Sequence, residues 1–150
     1  MADPTTRWDG DALVAGFSVA VLIALPFAVL GRWAVDHDWD GAGIAVANLG
    51  MITGLFLGAG VAAWRQRRRT PLSHGLVVAL GSYVVIQTLV VIARLVRGGE
   101  VRWGAAVANV FFALGAGLLG GFAGQALLRH GLLPPSAAPS PPPTPPEERP

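Results

Sequence analysis

"GAGIAVANLGMITGLFLGAGVAAWRQRRR" spans Gly41–Arg69 and divides at Trp64. Before that point stand 24 residues without one Asp, Glu, Lys or Arg; just after it come Arg65, Arg67, Arg68 and Arg69. A helix rises 1.5 Å per residue, so ~20 apolar residues cross the hydrocarbon of a bilayer. Three more uncharged runs of that length follow the same rule: Ala12–Gly31, Pro71–Ala93 and Trp103–Leu128. Buried helices of a soluble bundle would keep a polar face at helical period, and these runs have none. The expected fold class is an all-α membrane protein, a four-transmembrane-helix bundle. Its spans are about 12–34, 41–64, 72–96 and 103–128.

Composition agrees. Only 13% of the 150 residues are charged, about half the share of a soluble domain. Cysteine is absent, which excludes disulfides and thiolate chemistry. All eleven basic residues are Arg, and the abundant Ala, Gly, Val and Pro suit a GC-rich bacterial genome. The net charge of +2 and the pI near 10.4 suggest nucleic-acid binding at first sight. The arginines stand beside apolar runs, however, where they orient a membrane chain, so no nucleic-acid partner is expected.

Arginines next to a span are retained on the cytoplasmic side. The tetrad Arg65, Arg67, Arg68 and Arg69 therefore places the second loop inside, and with four spans both termini as well. The expected location is the bacterial plasma (inner) membrane. Residues 1–11 form a short cytoplasmic segment without the basic start of a cleaved signal, and residues 12–128 form the membrane domain. Residues 129–150 form a proline-rich cytoplasmic tail that reads as disordered. All five Trp lie at or just beyond span ends, as interfacial anchors do.

The tetrapeptide AVAN occurs at Ala45–Asn48 and again at Ala106–Asn109. In the same register Gly54 meets Gly115, Leu57 meets Leu118 and Gly60 meets Gly121. The chain thus reads as two tandem helical hairpins, a parallel repeat. An amide facing lipid would leave its hydrogen-bonding sites unmet. Asn48 and Asn109 are accordingly expected to clamp helices together, facing each other across a pseudo-symmetry axis. The alternative makes them the lining of a polar path with Tyr83 and Gln87, which share a face of the third span. Gly50, Gly54 and Gly58 form a continuous GxxxG ribbon, and Gly117 and Gly121 repeat the spacing; both support close helix crossings. The ribbon belongs either to the centre of the bundle or to a contact with another subunit.

Outside the membrane, Asp36, Asp38 and Asp40 face a loop carrying Arg94, Arg97 and Arg102, and the two loops are expected to associate. The acidic loop with His37 lacks the Gly and further ligands of a calcium loop, so no metal and no cofactor are expected. No H-E-x-x-H, G-x-S-x-G or phosphate-cradling loop is present, which leaves no footing for an enzyme. His74 at the inner edge of the third span reads as a partner for a carbonyl or headgroup.

The stretch Gly54–Val85 resembles an uncharacterised family of small four-span bacterial membrane proteins. The likeness is carried by Gly54/Gly58/Gly60, the basic loop Arg65–Arg69, His74–Gly75 opening the third span, Gly81 with Tyr83, and Gly117–Gly121. It implies the four-span topology and no particular activity. The expected function is a non-enzymatic integral membrane protein acting through helix association, its partners being the bilayer and a second copy or another membrane protein. The alternative is a small transporter or channel subunit; no small-molecule substrate is identifiable. Because the chain lacks cysteine, single-cysteine labelling reads the topology directly. A cysteine at Asp38 should react with an impermeant reagent from outside and one at Gln66 should not; the reverse pattern inverts every loop.

Overall fold

The computed structural model describes residues 8–67, 70–101 and 103–134. Arg68, Arg69, Arg102 and the proline-rich tail from residue 135 lie outside the described residues, as does the stretch before Trp8. Four helices account for most of what is described: α1 (Gly10–Asp36), α2 (Gly41–Arg65), α3 (Pro71–Val96) and α4 (Trp103–Arg129). Each is long and apolar enough to cross a membrane. This is an integral membrane protein with an all-helical bundle.

The helix ends have local causes. The Asp9 carboxylate accepts from the Ala12 N–H to start α1, and that of Asp40 accepts from Gly43 to start α2. Each fills one of the donors a helix start leaves unpaired. Pro71 opens α3, where its missing N–H costs nothing. Gly98 and Gly131, at φ +70° and +77°, end α3 and α4 in the left-handed region. Beyond them the Gly99 N–H donates to the Arg94 carbonyl and the Leu132 N–H to Leu127, which recovers carbonyls of the last turn. The α1–α2 and α3–α4 connections form one end of the bundle, here the hairpin end. The start of α1, the α2–α3 connection and the finish of α4 form the terminal end.

The two hairpins do not pack alike. Helix α2 touches all three others, whereas α1 and α4 scarcely meet. A two-fold axis through the bundle would require α4 to meet α1 as α2 meets α3, so the hairpins are tandem without a closed rotation between them.

Small residues decide the contacts. On α1, Ala12, Gly16, Ala20 and Ala24 are all buried at a spacing of four, which is one face of a helix. The α2 ribbon lies against that stripe. A Cβ built on Gly58 would stand 2.5 Å from the Gly16 carbonyl oxygen, and one on Gly54 would stand 2.6 Å from the Ala24 nitrogen. Gly50 meets the Phe27 ring. The ribbon is therefore internal: its partner is α1, which rules out the reading that places it on another subunit. Helix α4 splits its own glycines between two neighbours. Gly120 and Gly124 lie against Phe56, Ala59, Gly60 and Ala63 of α2, while Gly117 and Gly121 lie against Leu72, Gly75 and Ala79 of α3. The core that results is largely alanine, with Leu55, Val78, Tyr83 and Ile86 as its larger members.

These contacts predict opposite effects for glycines that look alike in sequence. Gly58→Leu should lower thermal stability in detergent by ~1–3 kcal/mol or more, because backbone faces it and cannot yield. Gly115, with nothing within 4 Å of a built Cβ, should accept alanine with a gain of up to ~1 kcal/mol from helix propensity. Circular dichroism melts of both variants check the pair; equal effects would contradict the packing.

Candidate functional site

The close contacts of the α4 glycines belong to the terminal half of the bundle, whereas α1 and α2 stay close toward the hairpin end, where a Cβ built on Gly31 would stand 3.2 Å from that of Ala47. Toward the hairpin end Phe27 stands across from Gly50, and neither Gly104 nor Gly115 of α4 has a neighbour within 4 Å of a built Cβ. A cavity of about 270 Å³ opens there, lined by residues of all four helices. Asn48 of α2, Asn109 of α4 and Gln87 of α3 line it, with Arg94 and Arg32 toward the hairpin end. Phe27, Met51 and Ile86 line it deeper in the bundle. Toward its mouth the chamber sets these polar groups among apolar residues such as Val35, Ile44 and Val101, and its floor is apolar.

Three amides offer both donors and acceptors. Among the described residues neither Asn48 nor Asn109 bonds across a helix contact. The clamp expectation is corrected on this point: both residues line the same cavity, with Asn48 exposed and Asn109 half-buried. Gln87 joins them. Tyr83 does not; it is 4% exposed and its hydroxyl donates to the Ala106 carbonyl at 2.5 Å. Tyr83 ties α3 to α4 beside the chamber and satisfies its own polar end, as buried tyrosines do.

At the mouth, Arg94 donates from Nη1 to the Glu100 carbonyl at 3.0 Å, while its buried Nε has no partner. Arg32 pairs with Asp36 one turn along α1. The expected pairing of Asp36, Asp38 and Asp40 with Arg94 and Arg97 is not found among the described residues. Asp36 is taken by Arg32, Asp40 by the start of α2, and Arg94 turns to its own loop. Local partners, one turn away, cost less chain ordering than partners in another loop. No three His, Asp or Glu side chains gather into a metal-binding group among the described residues.

The terminal end carries a second polar cluster that sequence reading caught only through His74. That ring is fully buried. Its Nε2 accepts the Asp9 N–H at 3.0 Å, and its Nδ1 lies 2.9 Å from the Thr70 carbonyl. A backbone N–H can only donate, so the proton sits on Nδ1 and is shared with Thr70. The Asp9 carboxylate also accepts from the Arg67 N–H, and Gln66 accepts from the Thr70 N–H. Trp8 lies against the His74 ring, and the Trp64 indole donates to the Leu132 carbonyl. One cluster thereby joins the start of α1, the α2–α3 connection and α3. Of the orienting arginines, Arg65 and Arg67 line a surface hollow with Asp9 and Asp11 at this end. The signal for Asp9 was present in "WDGDAL", an acidic residue just before an apolar helix. Nothing local marks Gln66 or Thr70.

Compared with known family models, curated proteins and solved structures, the chain has no match. The likeness of Gly54–Val85 to small four-span proteins rests on its residue pattern alone.

The cluster makes His74 a structural tie. His74→Phe keeps the ring and strands the Asp9 N–H, a loss of ~1–3 kcal/mol for an unmet buried donor. Thermal unfolding and proteolysis of the N-terminal segment should both show it, with His74→Gln recovering part. Unchanged protection in His74→Phe would mean the tie does not hold the α1 start.

Proposed function

We propose that this is a non-enzymatic integral membrane protein whose working part is the hairpin-end chamber, where a small polar solute is held by Asn48, Asn109 and Gln87. The convergence of these three amides from three helices carries the reading. Polar side chains within a span are expensive in hydrocarbon, and those facing an internal cavity mark solute paths and binding sites. The Gly50/Gly54/Gly58 ribbon, one surface considered for helix association, is spent on α1. The Phe27, Met51 and Ile86 floor and the close-packed half behind it describe a one-sided binding site, not an open pore. A transporter needs a second arrangement of the helices to pass such a solute onward.

Orientation belongs to the same proposal. The arginines of the α2–α3 connection put the terminal end in the cytoplasm, so the chamber faces outward. Gln66 is buried, which makes exposed Arg67 the better cysteine position for the inner face.

Two measurements test the reading. Asn48→Cys and Asn109→Cys should react with an impermeant thiol reagent from the outer side, whereas Leu119→Cys, on the lipid surface, should not. Proteoliposomes should take up glycerol, urea or acetate faster than protein-free liposomes, and Asn48→Leu with Asn109→Leu should abolish that gain without loss of helix content. Unreactive chamber cysteines together with no uptake of any probe would return the protein to an association role.

A further inference from the structure

A second cavity lies on the other side of Arg94, between α1 and α3, and is larger, at about 500 Å³. Its walls are lipid-like in depth and cationic at the rim. Leu25 and Val29 of α1 face Leu89 and Val90 of α3, and toward the hairpin end follow Arg32, Arg94 and Arg97. From Leu25 to Asp36 the cleft runs ~16 Å along α1, and from Leu89 to Arg97 ~12 Å along α3, at 1.5 Å per residue. The cleft exists because α1 and α3 make the slightest of the well-formed helix contacts. The glycine stripes serve α1–α2, α2–α4 and α3–α4.

The charge at the rim is unbalanced. Three guanidiniums meet one carboxylate, Asp36, which Arg32 already holds. Arg97 is exposed, and its guanidinium has no partner among the described residues. An apolar slot that opens sideways into hydrocarbon and ends in unneutralised arginines at the level of the headgroups is complementary to one kind of molecule. We infer that the α1–α3 cleft holds an anionic phospholipid, one acyl chain along Leu25, Val29 and Leu89 and the phosphate at Arg97 and Arg94. Basic pockets between spans on the cytoplasmic side bind anionic headgroups by the same chemistry; in the orientation proposed above, this cleft would take its lipid from the outer leaflet. The free phosphate ion shares the headgroup chemistry but cannot use the apolar slot. The inference is independent of what the chamber holds.

Native mass spectrometry tests it on the full chain, released from vesicles of equal phosphatidylglycerol and phosphatidylcholine with the same acyl chains. Wild type should retain phosphatidylglycerol in preference. Arg97→Gln should cut that preference about fivefold, the effect of one basic side chain at a lipid surface, and Arg94→Gln should add to it. Val29→Trp and Leu89→Trp, both at exposed positions, should fill the slot and lower retention of either lipid while helix content is kept. Asn48→Leu with Asn109→Leu should leave retention as it is, which separates this site from the chamber. Equal retention of the two lipids, indifference to both tryptophans, or displacement of the lipid by excess inorganic phosphate would each overturn the inference.

Discussion

Inside hydrocarbon, helices gain nothing from hiding apolar side chains from one another, because lipid is as apolar as leucine. What remains is contact at short range, and contact is closest where no side chain intervenes. In this bundle that condition is met along the stripes of three helix contacts. The Gly54/Gly58 edge of α2 lies on Gly16, Ala20 and Ala24 of α1. Gly120 and Gly124 of α4 lie on α2, and Gly117 and Gly121 lie on Gly75 and Ala79 of α3. Helix α4 can serve two neighbours because residues three apart sit about 60° apart around a helix axis. Everything else in the architecture follows from where these stripes stop.

The α4 stripes stop at Gly117, midway along that helix. Past Gly117 toward the hairpin end no glycine of α4 meets a neighbour, while α1 and α2 remain close at Gly31 and Ala47, and the cavity there is lined by Asn48, Asn109 and Gln87. The amides and the glycines are thus complementary features. Amides set in the glycine-packed half would find no room, and glycines at the amide positions would let the chamber close. A cleft also lies between α1 and α3. Arg94 forms part of the wall of both cavities, so a change in its position would be felt on either side.

The two ends of the bundle are held by different means. At the terminal end a buried imidazole and an aspartate side chain collect backbone donors from the start of α1 and the α2–α3 connection, and the imidazole donates in turn to the Thr70 carbonyl. At the hairpin end the chain turns locally, through Asp38, Gly98 and short-range partners such as Arg32 with Asp36. Long-range hydrogen bonds are concentrated where the helices already touch. Closely packed helix ends exclude water, and an unmet donor there is costly. Exposed turns can leave their polar groups to solvent.

Much of this was legible from the chain alone. Transfer into hydrocarbon adds up residue by residue, so the uncharged runs determined the four helices; the caps at their ends, Asp9, Asp40 and Gly98, came from the structure. The glycine ribbon announced a close crossing, and the two asparagines announced something internal and polar. The sequence could not say that the ribbon meets α1, that the amides face a cavity instead of each other, or that Tyr83 ties α3 to α4. Nor did it bring Gln66, Thr70 and Asp9 to His74. Those outcomes depend on the rotation of each helix about its axis. That rotation is chosen by the mutual fit of all four surfaces at once, and no single span carries that information.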